Sequence, residues 1–445
     1  MAHNQRLNGF IDDLLAGRTN RRTLMRRGAA FGIGVPALAT FAGGRGVIAQ
    51  DGGTVTFSAY VGGNPVAQER LENAVAGFEE NSGIDVELNI VEHEAFKQAI
   101  RTYLASDDPP DVLTWFAGNR ARFFIDRGLI MPVDDLFQEQ GWEEAYPQGI
   151  LAVSKGSDDQ YYFVPTSYYH WGIFYRKSIF EQVGIETPPR TWDELLAAVD
   201  QLKEAGITPF TIGTNQPWTA AGWFDYLNMR VNGPEFHIQL TDGEVAYNSP
   251  EVKETFARWR ELLDKDAFIA QPEALSWQDA VSPMVNGEAA MYLIGRFLFD
   301  AYPQEDQADV DFFQFPRITE GVPVGEDAPT DGYFASAKAT NVDEAKQLLT
   351  FFGSAEYQQS QAEVGGSPAV HQEVPLDIYD PLTRKGIEML QQADYIAQFY
   401  DRDTHPDMAE RGMNAFIQFW NNRDDVDQIL DTLDVERQRV FEADE

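Results

Sequence analysis

The sequence predicts an α/β protein folded as two lobes of roughly 150–200 residues each. Three observations lead there. The 445-residue chain is longer than an ordinary single domain. β-rich segments alternate with stretches whose apolar residues recur at helical spacing, the order expected of α/β lobes with mostly parallel sheets. Hydrophobic residues make up 43% of the chain and charged residues 24%, a globular composition that can fill sizeable cores.

The first element is an address. Asn20-Arg21-Arg22-Thr23-Leu24-Met25-Arg26-Arg27 precedes the apolar, Gly/Ala-rich run Gly28–Gly44, and Val47-Ile48-Ala49 follows. A basic region, a short apolar region and a small-residue site make residues 1–49 a signal peptide cleaved near Ala49. The run is too short and too weakly apolar for a membrane span. The paired arginines are Tat-like, with Asn20 where Ser or Thr is usual and Leu24 where Phe is commonest. A Sec signal with incidental arginines is the alternative. Either way the chain is expected to be exported, periplasmic or held at the cell surface.

Thr54–Val61 is β-rich, and Leu71, Ala74, Val75 and Phe78 form one face of a helix over Glu69–Glu80. Val86, Leu88 and Ile90 alternate as a strand would across Asp85–Val91, Ala95–Leu104 returns to helix, and Asp111–Trp115 is a short strand after Pro109-Pro110. Thr191 and Glu194 form a capping box ahead of Leu195, Leu196, Val199 and Leu202. Ser249-Pro250 supplies an N-cap and an N1 proline, and Asn341 with Glu344 repeats the capping pattern. Strand-like segments recur at Gly172–Tyr175, Ala289–Ile294, Val310–Phe315 and Tyr333–Ala337, and the last ~75 residues suggest helix and loop.

Charge and composition exclude several functions. There are 71 Asp+Glu against 34 Lys+Arg, and residues 1–50 hold seven of the arginines and two of the aspartates. The remainder is strongly acidic, the wrong sign for phosphate backbones or anionic lipid. No nucleic-acid partner is expected. The absence of cysteine removes disulfides, thiolate chemistry and a lipid-modified N-terminal cysteine. No Gly-x-Ser-x-Gly, His-Glu-x-x-His or P-loop pattern occurs. No cofactor or metal is expected.

Ordered motifs then carry a resemblance. Asp111-Val112, Gly128-Leu129-Ile130 and Pro132-Val133-Asp134-Asp135 come first; Tyr162-Phe163-Val164-Pro165, Phe174-Tyr175-Arg176-Lys177 and Thr191-Trp192-Asp193-Glu194-Leu195 follow. Val285-Asn286-Gly287-Glu288-Ala289-Ala290-Met291 with Gly295, and then Gly365-Gly366-Ser367-Pro368, complete the order. The set resembles extracellular solute-binding protein family 1, the maltose-binding-protein-like group. That resemblance implies the two-lobed periplasmic-binding-protein fold with its ligand in the interlobe cleft. The implied lobes are discontinuous, residues 52–164 plus 318–361 and residues 165–317 plus 362–445. It further implies a monomer that is not an enzyme and that delivers a sugar or oligosaccharide to the membrane permease of an ABC transporter.

A pyranose offers an apolar face to aromatic rings and hydroxyls to charged or amide groups. Several of the nine tryptophans and 17 tyrosines fall at strand-to-loop junctions, where such clefts form. Trp115 is the expected stacking platform, with Asn119 and Arg120 as hydroxyl ligands in the loop that follows. Tyr60, His93 and Glu94 are further candidates on that side, and Asp331 and Gly332 precede the returning strand. In the run Tyr168-Tyr169-His170-Trp171 strand alternation forbids burying every ring in one core, so Tyr168, Tyr169 and Trp171 are candidates. Trp218, Trp223 and Asp225 lie in a Gly/Asn/Pro-rich stretch, and of these Trp223 and Asp225 join the set. Arg296 follows Gly295, with Phe297 where the family often carries tryptophan. Competing readings are a ferric-ion binder using paired tyrosines, a binder of a phosphorylated polyol, and a secreted carbohydrate-active enzyme.

Overall fold

The computed structural model describes residues 53–61 and 65–441, so the expected export signal lies outside the described residues. In chain order the strands are β1 Thr54–Val61, β2 Asp85–Glu92, β3 Val112–Phe116, β4 Val164–Tyr168, β5 Trp171–Arg176, β6 Thr208–Phe210, β7 Ala289–Gly295, β8 Val310–Phe313, β9 Gly325–Asp327, β10 Thr330–Ala335 and β11 Tyr395–Ala397. They build a five-stranded sheet ordered β2-β1-β3-β10-β4, a four-stranded sheet ordered β6-β7-β5-β8, and the pair β11-β9.

Each main sheet organises its own core. Val55, Phe57 and Ala59 of β1 pack with Leu71, Val75 and Phe78 of the Pro65–Ser82 helix and with Leu348, Leu349 and Phe352 of the Val342–Gly353 helix. Leu113 and Trp115 of β3 pack with Phe96, Ile100 and Leu104 of the His93–Ala105 helix. The second sheet is buried by Leu195 and Val199, by the Trp218–Asn232 helix, and by Met408, Phe416 and Leu430 from the C-terminal helices. Val164–Tyr168 pairs with β10 and so belongs to the first sheet as a whole, while Gly325–Asp327 pairs with β11.

The expectation of mostly parallel sheets is corrected. β1 runs parallel to β2 and β3, but β10 is antiparallel to both β3 and β4, and β5 is antiparallel to both β7 and β8. The cause is connectivity. A strand that enters a sheet from the other sheet starts at the end facing it, opposite in sense to strands that finish there. Asp331 near the start of β10 thus pairs with Phe116 at the end of β3, and Trp171 at the start of β5 pairs with Gly295 at the end of β7.

Candidate functional site

Those junction ends bound a cavity of about 520 Å³. Its two walls differ in chemistry. Trp171, Trp218, Trp277, Phe297 and Phe399 build one of rings. Trp171 stacks on Phe399 with centroids 4.7 Å apart, Trp218 meets Trp171 edge-on at 6.2 Å, and Trp277 meets Phe297 edge-on at 5.0 Å. The notch that admits Trp171 is Gly222, where a Cβ would lie 2.8 Å from the indole. The buried Nε1 groups of Trp171 and Trp218 find no acceptor among the described residues. Phe399 holds φ at 106°, a region that favours glycine, and strain of this kind at a bulky residue collects at working sites.

The facing wall is polar. It carries Tyr60, His93, Glu94, Lys97, Thr166 and Asp331, with Phe116 at its foot. Tyr169, Asp401 and Arg402 join the two walls. Arg402 donates to Asp331 Oδ1 at 2.9 Å and to Tyr169 Oη at 2.9 Å, and its guanidinium lies 4.1 Å over the Phe116 ring. Lys97 Nζ sits 3.4 Å from Glu94 and 3.7 Å from Asp401, which Arg120 also pairs at 3.3 Å. Burial opposes ionisation of Glu94, but His93 and Lys97 outweigh it and hold the carboxyl at about 2. Asp401 is likewise buried, yet Lys97, Arg120 and Arg402 keep it below the ordinary carboxylate range. Lys97 with Glu94 and Asp401, and Arg402 with Asp331, are matched in this wall, so it presents oriented, paired polar groups.

The sequence candidates divide accordingly. Tyr60, His93, Glu94, Tyr169, Trp171 and Asp331 are brought together in the cavity wall. Trp115 is not: it is buried behind Phe116, ring centroids 4.7 Å apart, with Nε1 donating to the Arg120 carbonyl at 3.2 Å. Arg120 donates to the Asp401 carbonyl at 2.8 Å behind the cavity. Asn119 donates to Asp403 O at 2.7 Å and Asp242 Oδ1 at 3.2 Å. Tyr168 lies outside the cavity lining, its backbone N donating to Pro368 O at 3.1 Å. Trp223 and Asp225 sit on a helix, not a loop; Trp223 packs on Phe210 at 4.9 Å and Asp225 is fully buried. Arg296 donates to Thr383 Oγ1 at 2.8 Å and leans on Asp380, away from the cavity. Gly332 serves close approach, since a Cβ there would lie 2.1 Å from Val164 O.

Sequence reasoning missed Lys97, Phe116, Trp277, Phe399, Asp401 and Arg402. Lys97 had a usable signal, one helical turn after His93 on the same face. Phe399 and Arg402 had none, because the pairing of β11 with β9 places them. A second and more open cavity, about 690 Å³, is lined by Asn119, Arg122, Lys155, Asp242 and Phe441. Its Lys155 pairs Asp159 at 2.8 Å and lies 4.8 Å over the Tyr161 ring, and Arg122 donates to Asn119 at 2.6 Å.

Comparison with known proteins fits this geometry. An uncharacterized ABC transporter extracellular-binding protein of Pyrococcus horikoshii is 28% identical over 305 residues, 67% of this chain and 66% of that protein, just under two thirds of its length. The multiple sugar-binding protein of Streptococcus mutans is 25% identical over 328 residues, 70% of this chain and 74% of that protein. Among solved structures, the bacterial solute receptor AcbH matches with a TM-score of 0.82 at 29% identity, covering 87% of this chain and 99% of that one. The family pattern described as bacterial extracellular solute-binding protein matches residues 62–359, from the end of β1 into the helix at Ala355–Glu363, and the chain belongs to that family.

Proposed function

We propose that the chain is the receptor of an ABC importer and captures an uncharged sugar or short oligosaccharide between the two walls. The observation that carries this is their chemical asymmetry. Trp171, Trp218, Phe297 and Phe399 offer ring faces and two unpaired indole N–H groups, opposite the Asp331–Arg402 and Glu94–Lys97 pairs. A pyranose matches that arrangement, its C–H face on the rings and its hydroxyls on the pairs. Relatives agree with it: AcbH is described as preferring β-D-galactopyranose, and the Streptococcus mutans relative is named for multiple sugars. The chain acts by binding and release, not by bond breaking. The lobes are taken as residues 52–164 with 318–361 and residues 165–317 with 362–445; β4 pairs with β10 of the first sheet, and β9 pairs with β11 in a separate two-stranded sheet.

A thermal-shift screen against mono- and oligosaccharides tests the reading, because a ligand that binds only the folded state raises the midpoint. D-galactose and short galactosides are the first probes. A panel in which no sugar moves the midpoint, while a phosphorylated polyol or ferric ion does, replaces it. Export rests on the twin arginines: changing Arg21 and Arg22 to lysine blocks translocation if the Tat route is used, and normal export of that variant assigns the Sec route.

A further inference from the structure

The cavity does not end at its two walls. Past Asp331 its lining continues to Tyr333, two residues on in β10, and to Tyr357 of the Ala355–Glu363 helix. Leu71, Tyr333 and Tyr357 all belong to the core of the first sheet, so this arm is built on that sheet alone. Its floor is fixed. Tyr333 stacks on Phe352 with centroids 4.0 Å apart, and its hydroxyl meets Tyr357 Oη at 3.3 Å. Pro65, Ala67 and Leu71 of the Pro65–Ser82 helix add an apolar side.

The other side of the arm is polar and unengaged. Arg70, Gln361 and Ser367 line it, each half-buried. Arg70 makes one long bond, to Val364 O at 3.5 Å, and pairs with no carboxylate among the described residues. Gln361 and Ser367 make no side-chain hydrogen bond among them. Lys97 and Arg402, by contrast, are held by Glu94, Asp401 and Asp331. The Gly365-Gly366-Ser367-Pro368 motif builds this corner. Gly365 holds φ at 83°, and a Cβ on Gly366 would lie 2.5 Å from Gln361 O, which accepts the Gly366 N–H at 2.8 Å. The turn thereby brings Ser367 back beside the helix end that carries Gln361, and Pro368 O anchors it by accepting the Tyr168 N–H at 3.1 Å.

We propose that this arm is a subsite for a second sugar unit, recognised through Arg70, Gln361 and Ser367, so that the chain prefers a disaccharide or longer oligosaccharide to the free monosaccharide. The proposal rests on the reading of the cavity as a sugar site and adds the size of its ligand. One unit lies between the ring wall and the paired polar wall. The next lays its C–H groups on Leu71 and the tyrosine floor and offers its hydroxyls to the guanidinium, the amide and the serine. That second unit is uncharged. Five carboxylates line the cavity against three cations, a field that opposes a uronate or a phosphorylated unit.

Calorimetric titration of matched pairs tests the subsite: D-galactose with galactobiose, D-glucose with maltose and cellobiose, D-xylose with xylobiose, and N-acetylglucosamine with its β-1,4 dimer. In wild type at least one disaccharide binds about tenfold or more tighter than its own monosaccharide, the effect of one or two added hydrogen bonds to a charged group. Arg70→Ala and Gln361→Ala, each first shown to be folded, remove about tenfold of the disaccharide affinity and leave that of the monosaccharide unchanged. Trp171→Ala, in the ring wall, weakens both. Equal affinities within every pair, or a disaccharide advantage kept in both folded variants, overturn the proposal while the sugar reading stands on the monosaccharide. Wild type that binds no sugar of either length overturns both.

Discussion

Trp115 and Phe116 are adjacent on β3 with ring centroids 4.7 Å apart, and of the two only Phe116 lines the cavity, with Trp115 packed behind it against Phe96 and Phe124. The motif and the end of the strand were legible in the sequence; which of the two rings meets the cavity was not, because that is set by the packing of Trp115 on Phe96 and Phe124. The two tryptophans at issue therefore separate experimentally. Trp171→Ala weakens sugar binding by about tenfold to a hundredfold, the equivalent of 1–3 kcal/mol for one lost apolar face. Trp115→Ala instead costs about 3–5 kcal/mol of folding free energy and leaves the affinity of the folded fraction unchanged. Calorimetric titration paired with urea unfolding distinguishes them, and equal affinity loss in both variants contradicts the assignment. Tyr60, His93, Glu94, Tyr169 and Asp331 were found from sequence because each lies at a strand end or beside a crossover.

Helix starts with local signals were legible and those with distant partners were not. The Thr191 capping box forms as expected, and Ser249 accepts from the Val252 N–H. Asn341 makes no cap; its amide donates to Asp111 Oδ2 at 3.0 Å. The Trp218–Asn232 helix escaped notice because it is buried from Thr219 to Val231, which erases the apolar periodicity that marks a surface helix. Asp111 ties these elements together: Oδ1 accepts from Thr340 at 2.7 Å and Oδ2 from Thr56 at 2.9 Å. Burial is outweighed by those donors, so its pKa is lowered. Its stabilisation is present above the ordinary carboxylate range and fades as pH falls below it. Asp111→Asn costs about 1.5–3 kcal/mol for each charge-assisted bond lost, and its melting curve is flatter with pH on the acid side than that of wild type. Gly386 gives a sign test. In an exposed helix Gly→Ala gains about 1 kcal/mol. Here a Cβ would lie 2.0 Å from His170 Nδ1, so Gly386→Ala destabilises by about 1–3 kcal/mol in urea melts.

At the scale of the whole molecule, composition and motif order conveyed the α/β class and the family, while strand direction did not follow from them. β5 and β10 run against their neighbours because the chain passes between the sheets, a fact of connectivity with no local signature. The same passages bring residues distant in sequence to one cavity, Asp331 against Arg402 at 2.9 Å and Trp171 against Phe399 at 4.7 Å. Binding that requires both walls couples ligand capture to the relation between the two sheets. The most direct measurement is calorimetric titration of the sugar giving the largest thermal shift into wild type, Trp171→Ala and Asp331→Asn, each first shown to be folded. The account predicts one site in wild type and an affinity at least about tenfold weaker in both variants, one altered in the ring wall and the other in the polar wall. Wild-type affinity in either folded variant contradicts a ligand held between the two walls.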